Sequence, residues 1–119
     1  MIELEKTYLA KFIPDGLSRC KNKEIIDIYI PGSSKHPKIR LRKSGDKYEI
    51  TKKEPIKDDA SHQLEQTIVL TKEEFDSLSA IEGKKTHKIR HYYEYNGITA
   101  EIDVFLEALK GLIVVDFEF

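Results

Sequence analysis

The chain has 119 residues, enough for one domain with a modest core and too few for two. Its 39% apolar and 34% charged residues exclude a disordered chain, and 20 Lys and Arg against 21 Asp and Glu exclude a strongly basic nucleic-acid binder. No apolar run is long enough for a signal sequence or a membrane span, and the single Cys20 cannot form an internal disulfide, so we predict a cytoplasmic protein without a membrane partner.

Short segments that alternate apolar and charged residues recur along the whole chain. They predict strands at residues 2–12, 24–30, 37–43, 46–53, 64–70, 86–95, 98–106 and 112–118. Asn96-Gly97 predicts a tight hairpin, because both residues accept the positive φ of a type I′ turn, and Ser44-Gly45-Asp46 predicts a second turn. Eight mostly antiparallel strands can close a small barrel, so the predicted fold is mainly β, an eight-stranded antiparallel closed barrel.

Two segments are predicted to form short helices that cover the barrel. Thr71 lies three residues before Glu74, which is the pattern of a capping box. The apolar residues that follow at a spacing of three are Phe75, Leu78 and Ile81. The second predicted helix covers residues 15–22. Exposed loops are predicted at residues 31–34 and 55–61.

The predicted strands send charged and apolar residues to opposite faces, and the charged faces sort by type. Carboxylates stand on the first and last strands, at Glu3, Glu5, Asp116 and Glu118. Cations stand on the strands between them, at Arg40, Arg42, Lys52, Lys88 and Arg90. If these faces turned inward, they would line a charged tunnel. Carboxylates suit Mg²⁺ or Mn²⁺, while guanidinium and ammonium groups suit phosphate, so the pattern indicates a polyphosphate site.

This charge pattern has one further consequence and one alternative interpretation. Cations held on facing strands repel one another, so a bound anion should relieve that repulsion. The alternative for each motif taken alone is a solvated strand face, which is the common fate of a short charged pattern.

Six segments carry a resemblance that spans essentially the whole chain. They are Glu3-x-Glu5, Lys38-Ile-Arg-Leu-Arg42, Tyr48-Glu-Ile-Thr-Lys52, Lys88-Ile-Arg90, Glu101-Ile-Asp-Val-Phe105 and Gly111-Leu-Ile-Val-Val-Asp-Phe-Glu118. In this order they resemble the CYTH superfamily, the triphosphate tunnel metalloenzymes. The resemblance implies a single tunnel domain over residues 1–119. Members of the family hydrolyse tripolyphosphate, thiamine triphosphate or RNA 5′-triphosphate ends, or cyclise ATP.

The resemblance also implies roles by position. The metal ligands would be Glu3, Glu5, Asp116 and Glu118, with Asp103 near a second metal. The substrate-binding residues would be Arg40, Arg42, Lys52, Lys88 and Arg90. Among these, the predicted catalytic residues are Lys52, Lys88 and Arg90. Glu65 matches a further tunnel carboxylate.

The chain departs from the family pattern in two ways. The opening motif asks for Lys at position 7, where this chain has Thr7, and the adjacent Lys6 points to the opposite face of a strand. The chain also stops directly after the last matching strand, so we expect the domain to lack the helical segment that usually follows in the family.

The sequence therefore predicts an enzyme, a Mg²⁺- or Mn²⁺-dependent hydrolase of a triphosphate. Two alternatives stay open, namely a class IV-type adenylyl cyclase that makes cyclic AMP from ATP, and a tunnel that binds polyphosphate or a nucleotide without turnover. The expected partner is a small molecule that contains a triphosphate. Nucleic acid is not expected, apart from an RNA 5′-triphosphate end, and a homodimer stays open.

Overall fold

The computed structural model describes residues 5–10, 16–56 and 59–118, without the side chains of residues 5–7, 59–62, 95 and 118. It is mainly β. The strands are β1 (Glu5–Leu9), β2 (Lys21–Ile30), β3 (Ile39–Ser44), β4 (Lys47–Ile56), β5 (Asp59–Leu70), β6 (Lys84–Tyr95), β7 (Ile98–Phe105) and β8 (Ile113–Glu118). The helical elements are α1 (Lys72–Leu78) and two 3-10 turns, Leu17–Arg19 and Glu107–Leu109.

The strands form one sheet in the order β1-β8-β7-β6-β2-β3-β4-β5. The ladders β1–β8, β7–β8, β6–β7, β3–β4 and β4–β5 are antiparallel. The eight-stranded, mainly antiparallel sheet predicted from the sequence is therefore confirmed. Within the described ranges the order ends at β1 and at β5, and no ladder joins these two strands. Closure of the barrel is not confirmed and stays a prediction.

The chain divides into two compact units, and the first comprises residues 1–25 and 86–119. The buried residues of its core are Leu17, Ala100, Ile102 and Ile113. The hairpin between β6 and β7 turns at Asn96, with φ of 51°, and Gly97, with φ of 76°, as the sequence predicts. Because apolar residues of β7 and β8 pack into this core, their charged neighbours must lie on the other face.

The second unit comprises residues 26–85 and has its own core of Ile28, Leu41 and Phe75. The predicted capping box is present, because Glu74 N donates to Thr71 Oγ1 at 3.1 Å and Thr71 N donates to Glu74 Oε1 at 2.8 Å. Helix α1 ends at Leu78, so Ile81, with 49% exposure, does not continue the predicted apolar stripe.

Two predicted segments differ from the structure. The loop expected at residues 55–61 is wrong in its described part, residues 55–56 and 59–61, which belong to β4 and β5. Pro55 of β4 pairs with Gln63 of β5, and a register shift follows between Pro55 and Ile56. The shift accommodates a proline that has no N–H to give to the ladder. The helix expected at residues 15–22 is, in its described part, only the turn Leu17–Arg19, and β2 begins directly after it. Among the described residues, no helix is both long enough and apolar enough to cross a membrane.

Candidate functional site

The first unit gathers charged side chains on one face of β6, β7 and β8. The ladders pair Arg90 with Asp103, Tyr92 with Glu101, and Glu101 with Asp116. Residues directly opposite each other in an antiparallel pair share a face, so these groups line the face away from Ala100 and Ile102. This register places Arg90, Asp103 and Asp116 on one face.

Asp103 holds both predicted cations of this face. Its carboxylate accepts from Arg90 Nε at 2.8 Å and from Arg90 Nη2 at 3.0 Å, and Lys88 Nζ lies 2.9 Å from Oδ2. Arg90 Nη1 also lies 3.1 Å from Glu101 Oε2. Burial by itself raises the pKa of Asp103, but the hydrogen bonds from Arg90 and Lys88 outweigh it and the pKa is lowered. The pKa of Arg90 is raised, because Asp103 and Glu101 more than offset its desolvation.

The second unit repeats this arrangement around Asp27, a residue that the sequence analysis missed. Asp27 is fully buried and accepts from Arg42 Nε at 2.7 Å and from Arg42 Nη2 at 2.8 Å. The Tyr29 hydroxyl donates to Asp27 Oδ2 at 3.4 Å, and burial, followed by the Asp27 charge, raises the pKa of Tyr29. The sequence signal was a single aspartate inside the apolar run of β2, because a charge buried there needs a partner.

Arg40 lies on the same face as Arg42 but is held less tightly. The register places Arg40 opposite Thr51 and Arg42 opposite Glu49. Arg40 Nη2 is 4.0 Å from Glu49 Oε1, and its Nε is buried without a hydrogen-bond partner among the described residues. A buried donor without a partner is costly, so Arg40 is the cation of this face most in need of an additional acceptor.

Lys52 does not share the face of Arg40 and Arg42, and the sequence prediction of a shared face is wrong. The ladder pairs Lys52 with Ile39, which places it on the face of Leu41 and Ile50. Its Nζ lies 3.1 Å from Glu54 Oε1. The physical reason is that side chains two residues apart in a strand point to the same face. Lys52 follows Ile50 by two residues, and Ile50 packs against the core of the second unit.

The neighbouring Lys53 takes the place on the charged face that the sequence analysis gave to Lys52. Its Nζ is 3.9 Å from Oε2 of Glu65, the residue opposite it on β5. The registers of the β3–β4 and β4–β5 ladders therefore put Glu65 on the face of Arg40.

Of the four carboxylates predicted on the first and last strands, the structure describes only the side chain of Asp116. Glu3 lies outside the described residues, and of Glu5 and Glu118 only the backbone is described, where the ladder pairs them with each other. The same ladder pairs Thr7 with Asp116. Among the described residues no group of three His, Cys, Asp or Glu is placed to hold a metal ion. The metal assignment of Glu3, Glu5, Asp116 and Glu118 therefore stays a prediction.

The donor chemistry divides the predicted ligands into two kinds. Asp116 stands opposite Glu101, and carboxylate oxygens of this kind fit a hard divalent cation. Asp103 fits less well, because both of its oxygens already accept from cationic side chains, and a metal there would face Arg90 and Lys88. The geometry favours Asp103 as the residue that positions these two cations.

Fold and site together define a class, a β protein in which each of two units holds partly buried arginine side chains on a charged strand face by means of a buried aspartate. The family model of the CYTH domain matches residues 15–118, which is well over half of the chain. The chain belongs to the CYTH domain family. No curated protein matches it.

Solved structures agree with this assignment. The inorganic triphosphatase NE1496 is 25% identical, with a TM-score of 0.73 over 100% of this chain and 74% of the other. The PH1012 protein from Pyrococcus horikoshii OT3 is 20% identical, with a TM-score of 0.61 over 98% of this chain and 77% of the other. HpAC1 from Hippeastrum, a proposed adenylyl cyclase with a dominant triphosphatase activity, is 12% identical, with a TM-score of 0.61 over 99% and 80%. The last two share the fold.

Proposed function

We propose that this chain hydrolyses a triphosphate and that inorganic tripolyphosphate is the first substrate to test. The observation that carries the proposal is the pair of buried aspartate–arginine contacts, Asp103 with Arg90 and Asp27 with Arg42. Such contacts fix the planes of guanidinium groups, which bind phosphate oxygens as planar forks. Membership of the CYTH family and the similarity to the triphosphatase NE1496 support the choice of substrate.

The residues of this chain would act by binding and by electrostatics. Arg40 and Arg42 of the second unit, and Lys88 and Arg90 of the first, are the proposed phosphate-binding groups. Phosphoryl transfer places charge on the equatorial oxygens, and fixed cations stabilise that charge without reorganisation. Asp27 and Asp103 are proposed to keep the cations in position.

We further propose that Glu3, Glu5, Asp116 and Glu118 hold a divalent metal, Mg²⁺ or Mn²⁺. The metal would polarise a phosphate oxygen and orient a water for in-line attack. Titration calorimetry with Mn²⁺ tests the assignment, and the Asp116→Asn variant should bind the metal much more weakly than the Asp76→Asn variant of the exposed helix α1. Equal affinity in the two variants would show that the metal lies elsewhere.

Product identification tests the reaction. The protein is incubated with tripolyphosphate or ATP, with and without Mg²⁺ or Mn²⁺, and we expect phosphate and pyrophosphate from tripolyphosphate only when metal is present. Cyclic AMP from ATP would identify a cyclase instead. If tripolyphosphate binds but is not hydrolysed, the chain is a binding protein. Thr7 in place of the motif lysine favours this outcome.

Kinetic variants test the roles of individual cations. Arg40→Gln should raise KM for tripolyphosphate by roughly tenfold to a hundredfold, the loss of one charged hydrogen bond. The same assay on Lys52→Gln tests the catalytic role predicted from the sequence, which expects a loss of kcat. The register places Lys52 on the other face and expects kcat to stay unchanged. An unchanged KM in Arg40→Gln would remove Arg40 from the phosphate-binding set.

A further inference from the structure

Strand β5 lies at one end of the sheet order, and β4 is its only neighbour among the described strands. From residue 63 to residue 69 every side chain of β5 is exposed, so neither face of this segment is covered by other described residues. Natural sheets protect an open edge with proline, lysine or a short strand. Residues 63–69 contain no proline and no lysine, and β5 has 12 residues. This edge is therefore long and unprotected.

The exposed segment carries three large apolar side chains. Leu64, Ile68 and Val69 are 49%, 65% and 80% exposed. Leu64 and Ile68 share a face, because they are four residues apart in a strand. The ladder pairs Ile68 with Ile50, which packs against the core of the second unit. The covered apolar face of β4 thus continues onto an uncovered edge, and an exposed apolar surface of this kind is typical of an interaction site.

The backbone hydrogen bonds of β4 indicate which residues of β5 present their N–H and C=O groups to the open edge. Lys53 N donates to the Lys38 carbonyl at 2.9 Å, so Lys53 and every second residue of β4 bond toward β3. Lys52, between them, bonds toward β5, where it is paired with Gln66. Gln66 and every second residue of β5 therefore bond to β4. The residues whose backbone groups point to the open edge are Gln63, Glu65, Thr67 and Val69.

We infer that this edge pairs with the same edge of a second copy of the chain, in an antiparallel ladder with its two-fold axis at Gln66. The axis must pass through a residue, because only then do both copies keep their apolar residues on the same face of the joined sheet. Strands of equal length match fully, whereas β1, at the other end of the sheet order, has only five described residues. The second copy is therefore the occupant that fits the whole edge.

The sequence of β5 favours the axis at Gln66 over its neighbours. There, Leu64 of each copy lies opposite the partner's Ile68, so two exposed apolar pairs become covered. Glu65 lies opposite the partner's Thr67, and these two residues exchange backbone hydrogen bonds across the edge. An axis at Glu65 would place two like charges opposite each other, and an axis at Thr67 would place Ile68 opposite a glutamine.

The test measures the mass of the particle in solution by sedimentation velocity and light scattering over a range of protein concentrations. Wild type should be a dimer at micromolar concentration. Ile68→Lys should weaken the dimer by roughly a hundredfold, because symmetry places the change at two contacts that each lose about tenfold. Leu64→Glu should also favour the monomer. The sample contains no triphosphate, so the result does not depend on the proposed function.

Mixing these two variants tests the register. An equal mixture of Ile68→Lys and Leu64→Glu should form a heterodimer, because the introduced ammonium faces the introduced carboxylate while the remaining Leu64 faces the remaining Ile68. Association on mixing also shows that both variants are folded. Failure of two folded variants to associate, with circular dichroism as the measure of folding, would overturn the pairing about Gln66.

Leu9→Lys is the matched control, because Leu9 is also an exposed apolar residue on a strand at the end of the sheet order, in β1. It should leave the dimer intact. If Leu9→Lys dissociates the dimer and Ile68→Lys does not, the interface lies at β1 and the inference is wrong. A wild-type protein that is monomeric at every concentration would also overturn it, as expected if β5 pairs with β1 of its own chain.

Discussion

At the scale of single residues, each buried aspartate compensates the charge of neighbouring cations on its face without a bound ligand. The sequence analysis expected cations that repel one another and need an anion to relieve the repulsion. The structure instead shows Arg90 and Lys88 compensated by Asp103, and Arg42 compensated by Asp27. Removing one partner of such a pair leaves a buried charge without compensation, which is strongly destabilising. Variants of these cations must therefore be checked for folding before their activity is interpreted.

At this scale we predict that Asp103→Asn lowers the free energy of unfolding by about 3–5 kcal/mol at neutral pH. The pKa of Asp103 is lower in the folded protein than in the unfolded chain. Its contribution is therefore complete above the unfolded pKa, near pH 4, and is lost as the pH falls through the folded pKa. Urea unfolding at a series of pH values should show the difference from wild type constant near neutrality and shrinking in acid.

Asp76→Asn is the control for this experiment, since the Asp76 side chain is 59% exposed and its ion pair with Lys72 is long, at 3.9 Å. It should change stability little at any pH. A destabilisation by Asp103→Asn that is no larger than that of Asp76→Asn would show that Asp103 does not hold the two cations in solution.

Among the elements, α1 illustrates how a local sequence signal serves a tertiary contact. Its capping box fixes the first turn, which places Phe75 against Tyr48 with 5.2 Å between the ring centroids. Phe75 is 5% exposed and belongs to the core of the second unit, together with Leu41 of the charged strand β3. The helix thus covers the apolar face of the strand whose other face carries Arg40 and Arg42.

We predict at the element scale that Thr71→Ala destabilises the protein by about 1 kcal/mol, because the N–H of Glu74 loses its side-chain acceptor. Thermal or urea unfolding measures the change. Ser77→Ala, at an exposed position in the same helix, is the control and should be neutral or slightly stabilising, since alanine has the higher helix propensity. Equal effects in both variants would mean that the cap does not contribute to stability.

For the whole molecule, the proposed function predicts that tripolyphosphate stabilises the folded state. A ligand that binds only this state adds about 2.7 kcal/mol at a hundred times its Kd, which corresponds to roughly a 10 °C rise in Tm. The measurement is a thermal melt with increasing tripolyphosphate, with and without Mg²⁺, against sodium chloride at matched ionic strength. A Tm that responds only to ionic strength would contradict specific triphosphate binding, whatever the fold.

The sequence by itself determined the eight strands, although not all of their bounds, and the sorting of charge between their faces except at Lys52. Alternation with a period of two is a local property, so the pairs Arg40 and Arg42, and Lys88 and Arg90, could be assigned to charged faces without a structure. The capping box and the Asn96-Gly97 turn are equally local, because their hydrogen bonds and dihedral angles involve residues close together in the chain.

Only the tertiary structure decided which charges meet. Asp27 and Arg42 lie on different strands, and nothing local states that their side chains form one buried pair. The two-residue period of a strand could by itself have separated Lys52 from Arg42, since Lys52 continues the apolar side of Tyr48 and Ile50. Only the β4–β5 ladder shows that Lys53 lies beside Glu65. The physical reason is that register comes from packing two strands on one core, so each partner depends on residues far along the chain.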